Sequence, residues 1–569
     1  MKLTQLRVVW LIVISIRSYY NELMNSVVLI VLDGFGIAPP GPGNPIYLAN
    51  PTNINSYLYT YPNTQLKASG EAVGLPAVEV GNTEVGHINL GAGKIVYQDL
   101  PRINMSIADG SYYKTEAFLK AVEHVKKTKG NLHFIGLVGQ GSVHASVDHL
   151  HALLFFAKEN NLSNVFVHAI TDGRDSPPKS AMEIIKPLED KLKQLGVGKI
   201  ATILGRYFAM DRDRRWERIE KAYVCLTKGI GATAETAEQA IQNAYVKNLT
   251  DEFIEPTNIT TLGQPPVIIK EGDAVIYFNY RIDRPRELTK AFVLEDFQKE
   301  ANKTLSFDPY AIKYEKTHLE KKSPEAFNPP FQRGDKIKNL LFVTMTEYEK
   351  ELPVEIAFPP NVVSVPIGRL ISEKGIPQLR MSETEKERFV GFYFNGHREA
   401  AFPNEDRVII PSPKVPTYDQ KPEMSAYELT DVLTQKMKEQ KYPFILVNFA
   451  NADMVGHTGS IEATIKAIKV LDECLGKVVQ TALSFGHYVL ITADHGNAEE
   501  KINPSTGQIS TEHTDNPVPF IAIHSSLQGR LVKLPSGILA DIAPTILALL
   551  DILKPGEMTG RNLLEELAS

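Results

Sequence analysis

The sequence predicts an α/β protein in which one domain is inserted into another, and three observations predict it. Short continuous apolar runs recur and end on polar or glycine-bearing tips. Patterns of helical periodicity lie between them. Two breaks, one after Gly91-Ala92-Gly93 and one at Phe358-Pro359-Pro360-Asn361, set a middle segment apart from the two ends. A chain of 569 residues also exceeds one ordinary domain and suggests two, with a third less favoured.

Residues 27–32 (VVLIVL) are apolar without alternation and stop at Asp33-Gly34. A strand buried on both faces reads this way, and in open α/β sheets ligands bind beyond the strand tips. Residues 131–138, 164–170, 274–279, 444–448 and 488–492 repeat the pattern. Between 460 and 482, Ile461, Ile465, Ile468, Leu471, Leu475 and Val478 recur at helical spacing and predict an amphipathic helix. The polar stretch 298–338 reads as a surface insertion. No internal repeat is visible.

Hydrophobic residues make up 43% and charged residues 22%, enough for sizeable cores. A formal net charge of −6 lacks the electrostatic footprint of a nucleic-acid binder, so an anionic substrate needs local Arg or Lys clusters. Two distant cysteines, Cys225 and Cys474, can build neither a disulfide framework nor a thiolate zinc site. They read as apolar fillers in a reducing compartment. Residues 8–16 (VVWLIVISI) are too few for a membrane span, and the Arg17-Ser18-Tyr19-Tyr20 that follows is not a small-residue cleavage site. Residues 1–24 are therefore expected to be a dispensable extension, with Met24 as a candidate start.

Candidate metal ligands sit past strand tips. Asp453 and His457 are spaced i, i+4, which can bring both to one face of a helical turn. Asp494-His495 follows residues 488–492, His513 lies in a polar loop, and Asp33 ends the first run. Any one of these is ordinarily a turn or a solvated imidazole. Their shared context argues for a site, and mixed carboxylate and imidazole donors suit manganese or zinc.

The glycine-rich stretch from Gly81 to Lys94 invites a phosphate-loop reading, which fails because positions 88 and 95 are both Ile. Thr83 instead offers a hydroxyl near a helix start, where backbone N–H groups favour a phosphoryl group. From spacing alone a helix cap is the simpler role for Thr83. Arginines cluster past three further runs: Arg174 and Asp175, then Arg206 and Arg212, then Arg281 and Arg284. Arg-Asp neighbours are ordinarily surface ion pairs. Their common place at strand ends argues for a pocket for a small polyanion. His144, in Gly141-Ser-Val-His144, reads equally as structural.

Together LDGFG (32–36), GEAVGLP (70–76), GNTEVGHINLGAG (81–93), DGRD (172–175), GRYFAMDRD (205–213), ETEK (383–386), PSPKVPTYD (411–419), NFANADMVGH (448–457), TADHGNAEE (492–500) and HTDNPVP (513–519) resemble the cofactor-independent phosphoglycerate mutases of the alkaline phosphatase superfamily. The resemblance runs from about Val27 to the C-terminus. It implies a discontinuous alkaline-phosphatase-like metal domain, residues 25–97 and 361–569, with a substrate-binding α/β domain, residues 98–360, inserted. It further implies two divalent ions, manganese by expectation, without bisphosphoglycerate. Asp33, Asp494, His495 and the hydroxyl of residue 83 would hold one, and Asp453, His457 and His513 the other. His144, Arg174, Asp175, Arg206, Arg212, Arg281, Arg284 and Lys386 would bind substrate, with Asp175 also moving protons. The implied reaction interconverts 3- and 2-phosphoglycerate through a phospho-enzyme, in a cytoplasmic monomer without nucleic-acid or membrane partners. Excluding water from the intermediate implies closure of one domain over the other. The family pattern has Ser where this chain has Thr83, which keeps the hydroxyl but adds a methyl and stiffens χ1. A phosphatase or phosphodiesterase on the same site, or an impaired homologue, are the alternatives.

Overall fold

The computed structural model describes residues 25–261, 263–303, 329–530, 532 and 534–567. The extension 1–24 and much of the insertion expected at 298–338 lie outside the described residues. The chain packs into two compact units, one ending at Gln98 and resuming at Asn361, the other Asp99–Pro360. Each unit is organised on one eight-stranded sheet.

The strands of the discontinuous unit are β1 (Ser26–Leu32), β2 (Asn63–Lys67), β11 (Gln378–Glu383), β12 (Glu405–Ile410), β13 (Phe444–Phe449), β14 (His487–Thr492), β15 (Val518–Ile523) and β16 (Gly537–Ile538), and those of the inserted unit are β3 (Leu132–Val138), β4 (Val165–Thr171), β5 (Lys199–Gly205), β6 (Ala232–Ala234), β7 (Thr257–Ile259), β8 (Ala274–Tyr277), β9 (Leu341–Thr346) and β10 (Glu355–Phe358). The first sheet runs β12-β11-β13-β1-β14-β15-β2-β16, and the second β10-β9-β8-β3-β4-β5-β7-β6.

In the first sheet β1 is central, parallel to β13 on one side and β14 on the other. Its apolar residues are fully buried, as an unbroken apolar run requires when both faces are covered. Leu32 pairs with Phe449 and Val31 with Thr492, so the three strands end level. Strand β11 runs parallel to β13 and delivers the turn Thr384–Lys386 at the same end. Strand β15 departs from the parallel pattern, being antiparallel to both β14 and β2. The loop 493–517 that connects it to β14 turns back at the strand tips instead of crossing the sheet through a helix.

The helix expected between 460 and 482 spans Ile461–Ser484, and Ser460 caps it by accepting a hydrogen bond from the Ala463 amide. Strand β8 stops at Tyr277, two residues earlier than its apolar run suggested. The Asn279 carbonyl is taken by the Tyr348 hydroxyl, and the Asn279 side chain accepts from the Leu137 amide. In the inserted unit β8, β3, β4 and β5 are parallel, so the segments after all four emerge at one end.

Candidate metal centre and arginine cluster

The level ends of β13, β1 and β14 set Asp453, Asp33 and Asp494 side by side. Asp33 follows β1 directly, Asp494 follows β14 after Ala493, and Asp453 lies in the short helix Asn451–Gly456 just past β13. All three carboxylates are buried. His457 caps that helix, with its Nε2 3.1 Å from Asp453 Oδ1. His513 Nε2 lies 3.1 Å from His457 Nε2 and 3.3 Å from Asp453 Oδ1. His495 Nε2 is 3.5 Å from Asp33 Oδ1. Among the described residues three groups have converging ligand atoms: Asp453, His457 and His513; Asp33, Asp453 and His495; and Asp33, His87 and Asp494.

Thr83 is the first residue of the helix Thr83–Ala92, and the cap is its neighbour Asn82, whose side chain accepts from the Val85 amide. The capping role that spacing favoured for Thr83 thus falls to Asn82. The Thr83 hydroxyl faces the ligands, 3.3 Å from Asp33 Oδ1 and 3.0 Å from His495 Nε2. The helix comes this close because Gly86 has no side chain: a Cβ there would lie 2.6 Å from Asp494 Cβ.

Lys386 takes a different place from the arginines with which it was grouped. Its Nζ donates to Asp33 Oδ1 at 2.6 Å, Asp453 Oδ2 at 2.7 Å and Thr83 Oγ1 at 3.2 Å. Burial disfavours the ammonium, but Asp33, Asp453 and Asp494 outweigh it and hold Lys386 charged. His87 and Asn448 belong to the same cluster and were not singled out from the sequence. His87 Nδ1 lies 3.3 Å from Asp494 Oδ2, and Asn448 Nδ2 donates to Asp33 Oδ2 at 2.7 Å. One signal was available: His87 stands one helical turn after Thr83, on the same face.

The donors fit divalent cations. Carboxylate, imidazole and hydroxyl groups converge, and of the three buried carboxylates two, Asp33 and Asp453, are ion-paired to the buried ammonium of Lys386. Asp494 Oδ2 is buried and makes no hydrogen bond among the described residues, since the nearby His87 Nδ1, 3.3 Å away, bonds the Thr83 carbonyl; a cation would satisfy this acceptor.

The inserted unit gathers a second cluster at the ends of β3, β4, β5 and β8. Buried Arg206 donates to Asp172 at 2.5 Å and Asp175 at 2.6 Å. His144 lies 3.6 Å from Asp175 and 3.7 Å from Asp283. Asp283 also accepts from Arg212 at 2.8 Å and lies 3.2 Å from Arg281. Arg284 donates to the Met210 carbonyl, and Arg174 stands 3.7 Å from Glu252. Asp172 and Asp283 are the carboxylates that motif reading left without a role; each holds arginines in place. Burial, then the nearby Arg206 and Arg212, lowers the Arg284 pKa, a mark of crowded positive charge. Burial also holds His144 below the usual imidazole range, so it is neutral. For Asp175, burial is outweighed by Arg206, which keeps the carboxylate ionised.

Carboxylates, imidazoles and a helix-borne hydroxyl, collected at the carboxyl ends of parallel strands, define an alkaline-phosphatase-like α/β domain. Residues 103–350 match the family model described as the BPG-independent PGAM N-terminus. The 2,3-bisphosphoglycerate-independent phosphoglycerate mutase of Clostridium beijerinckii is 48% identical over 539 residues, 95% of this chain and 98% of that protein. That of Chloroflexus aggregans is 48% identical over 544 residues, covering 95% and 98%. Among solved structures, Leishmania mexicana phosphoglycerate mutase at low cobalt concentration aligns with a TM-score of 0.57 and 27% identity, over 95% of this chain and 97% of that one. The chain belongs to the 2,3-bisphosphoglycerate-independent phosphoglycerate mutase family, and it is an enzyme. Among the described residues no helix is long and apolar enough to cross a membrane.

Proposed function

We propose that this chain interconverts 3-phosphoglycerate and 2-phosphoglycerate by way of a phosphoryl group carried on Thr83. The discontinuous unit, residues 25–97 and 361–569, supplies the metal ligands and the nucleophile, and residues 98–360 supply the substrate clamp. The observation that carries this is the Thr83 hydroxyl, freed from capping by Asn82 and held among Asp33, His495 and Lys386. Two divalent cations are proposed, manganese first. Asp33, Asp494, His495 and Thr83 would hold one, and Asp453, His457 and His513 the other. When bound, they withdraw charge from phosphoryl oxygens and make the hydroxyl easier to deprotonate.

In the forward half-reaction the Thr83 hydroxyl gives up its proton, its oxygen attacks phosphorus, and the bond to the glycerate oxygen breaks. That oxygen takes up a proton, and glycerate stays bound. Its other hydroxyl then loses a proton and attacks the same phosphorus, the bond to the Thr83 oxygen breaks, and that oxygen takes up a proton to restore the hydroxyl. Arg174, Arg206, Arg212, Arg281 and Arg284 offer planar donors to phosphate and carboxylate, while His144, neutral, can donate or accept at a hydroxyl. Asp175, held as a carboxylate, is suited to accept a proton at one half-step and return it at the other. Lys386 neutralises charge beside the transferring group. The two buried free cysteines, Cys225 and Cys474, suit a reducing cytoplasm. A monomer acting on a small metabolite, without nucleic acid, completes the proposal.

Purified protein with manganese and 3-phosphoglycerate, and no bisphosphoglycerate, is expected to form 2-phosphoglycerate. Free phosphate as the main product would instead mark a phosphatase.

A further inference from the structure

Three buried residues beside the metal centre have no part in the reaction as derived so far: Asn497, Glu499 and Lys501. They occupy the stretch after Asp494-His495 and reach into the segments that carry Asp33, Asp453 and His513. Glu499 accepts from the Gly36 amide at 2.9 Å, from the Asn497 amide at 2.9 Å, from Asn516 Nδ2 at 3.1 Å and from the Thr514 hydroxyl. Those donors lie three residues after Asp33, two after His495, and one and three after His513. One carboxylate therefore ties together three segments, of which the one at Gly36 comes from more than four hundred residues earlier in the chain. The second glycine of LDGFG is explained by this contact, since a Cβ on Gly36 would lie 2.3 Å from Glu499 Cδ.

Asn497 reaches the fourth segment. Its Nδ2 donates to Asp453 Oδ1 at 2.8 Å. An Asn amide can point either way, and only one orientation presents N–H to a carboxylate. Lys501 selects that orientation. Its ammonium has no acceptor, and it donates to Asn497 Oδ1 and to the Gly456 carbonyl at 3.3 Å. With the amide oxygen turned to Lys501, the amide nitrogen must turn to Asp453. Burial pulls the Lys501 pKa down to about 8, with Glu499, Asp453 and Glu500 compensating only in part, so the ammonium still prevails at neutral pH.

We infer that Asn497, Glu499 and Lys501 form a positioning clasp: Glu499 holds the three ligand loops in register, and Lys501 acts through Asn497 to orient Asp453 for metal binding. This inference rests on the metal-ligand assignment proposed above, and the test separates the two. Cobalt(II) alone is titrated into the metal-free full chain, followed by calorimetry and by its visible absorption, which reports coordination geometry. Asp453→Asn examines the assignment: unchanged cobalt affinity there would overturn the ligand set itself. Lys501→Met and Asn497→Ala examine the clasp. Each is expected to weaken cobalt binding about 10- to 100-fold and to alter the absorption band. The double variant is expected to be no weaker than Asn497→Ala alone, because Lys501 works through that amide. Weakened binding in Asp453→Asn with normal affinity and spectrum in Lys501→Met, or additive losses in the double variant, would overturn the clasp and leave the ligand set standing. Should Lys501→Met not fold, Thr514→Val removes one donor to Glu499 at nearly constant shape. Weaker cobalt binding with an unshifted melting temperature of the metal-free protein is expected there, and unaltered cobalt binding would overturn the role of Glu499.

Discussion

A single hydroxyl decides whether the metal centre can carry out transfer. Thr83→Ala keeps the helix start, because Asn82 makes the cap, yet removes the only group proposed to receive the phosphoryl. Turnover should fall by about 10⁴-fold or more, the scale seen when a nucleophile is deleted, while cobalt still binds at Asp453, His457 and His513. A coupled assay beside a metal titration checks both halves, and full activity would remove Thr83 from the mechanism. Thr83→Ser should retain activity, since it keeps the oxygen and drops only the methyl. Asp175→Asn, in the other unit, should lower turnover by about 10²- to 10⁴-fold with metal affinity unchanged. Loss of metal affinity there would contradict the division of roles. The candidate ligands were legible because Asp33, Asp453 and Asp494 each stand within five residues of an apolar run, where a strand tip can be read. The role of Lys386 was harder to see: ETEK begins on the last residue of β11, whose Gln378, Arg380, Ser382 and Glu383 interrupt any apolar signal. Asn497 and Lys501 were hidden for another reason. Their significance lies in contacts with Asp453 and Gly456, more than forty residues earlier in the chain, which no local pattern announces.

At the scale of elements, parallel register does most of the work. Level ends of β13, β1 and β14 follow from pairing Leu32 with Phe449 and Val31 with Thr492, and that pairing buries every apolar side chain of β1. Uninterrupted runs announced these strands, whereas β12 and β2, with polar and half-exposed residues, gave no such signal. The inserted sheet carries a buried polar row that its apolar runs concealed. His133 on β3 lies 3.1 Å from Asp273, His168 on β4 lies 2.9 Å from His133, and Thr202 on β5 lies 3.0 Å from His168. Asp273 can only accept, so His133 Nε2–H donates to it, His168 Nε2–H donates to His133 Nδ1, and the Thr202 hydroxyl donates to His168 Nδ1. Burial lowers the pKa of both histidines, far below the ordinary value for His168. The unfolded chain binds protons at these positions near pH 6.5, and the folded sheet does not. Their contribution is therefore whole above about pH 6.5 and is lost as the pH falls below it, at about 1.4 kcal/mol per pH unit for each histidine held neutral. Denaturant titrations between pH 7 and 5 should show this slope, and His168→Gln should reduce it by about one proton. An unchanged slope in that variant would mean that His168 is not held neutral.

On the scale of the whole molecule, the two units place opposite demands on charge. The discontinuous unit buries Asp33, Asp453 and Asp494 side by side, with the Lys386 ammonium against Asp33 and Asp453, and the repulsion among these carboxylates is what cations can relieve. The inserted unit pairs its clustered arginines with Asp172, Asp175 and Asp283. Removing metal should therefore lower the stability of one unit and spare the other. A cation present at about 100 times its dissociation constant stabilises the folded form by about 2.7 kcal/mol. Chelation should lower the melting temperature by several degrees, and excess manganese should restore it. Amide exchange would localise the change: protection should fall in β1, β13 and β14 and stay constant in β3, β4 and β5. The acid slope set by His133 and His168 should be the same with and without chelator, because neither histidine touches the metal ligands. Equal melting temperatures with and without saturating manganese would refute the charge argument, and a loss of protection centred on β3 and β4 would place the ions in the wrong unit.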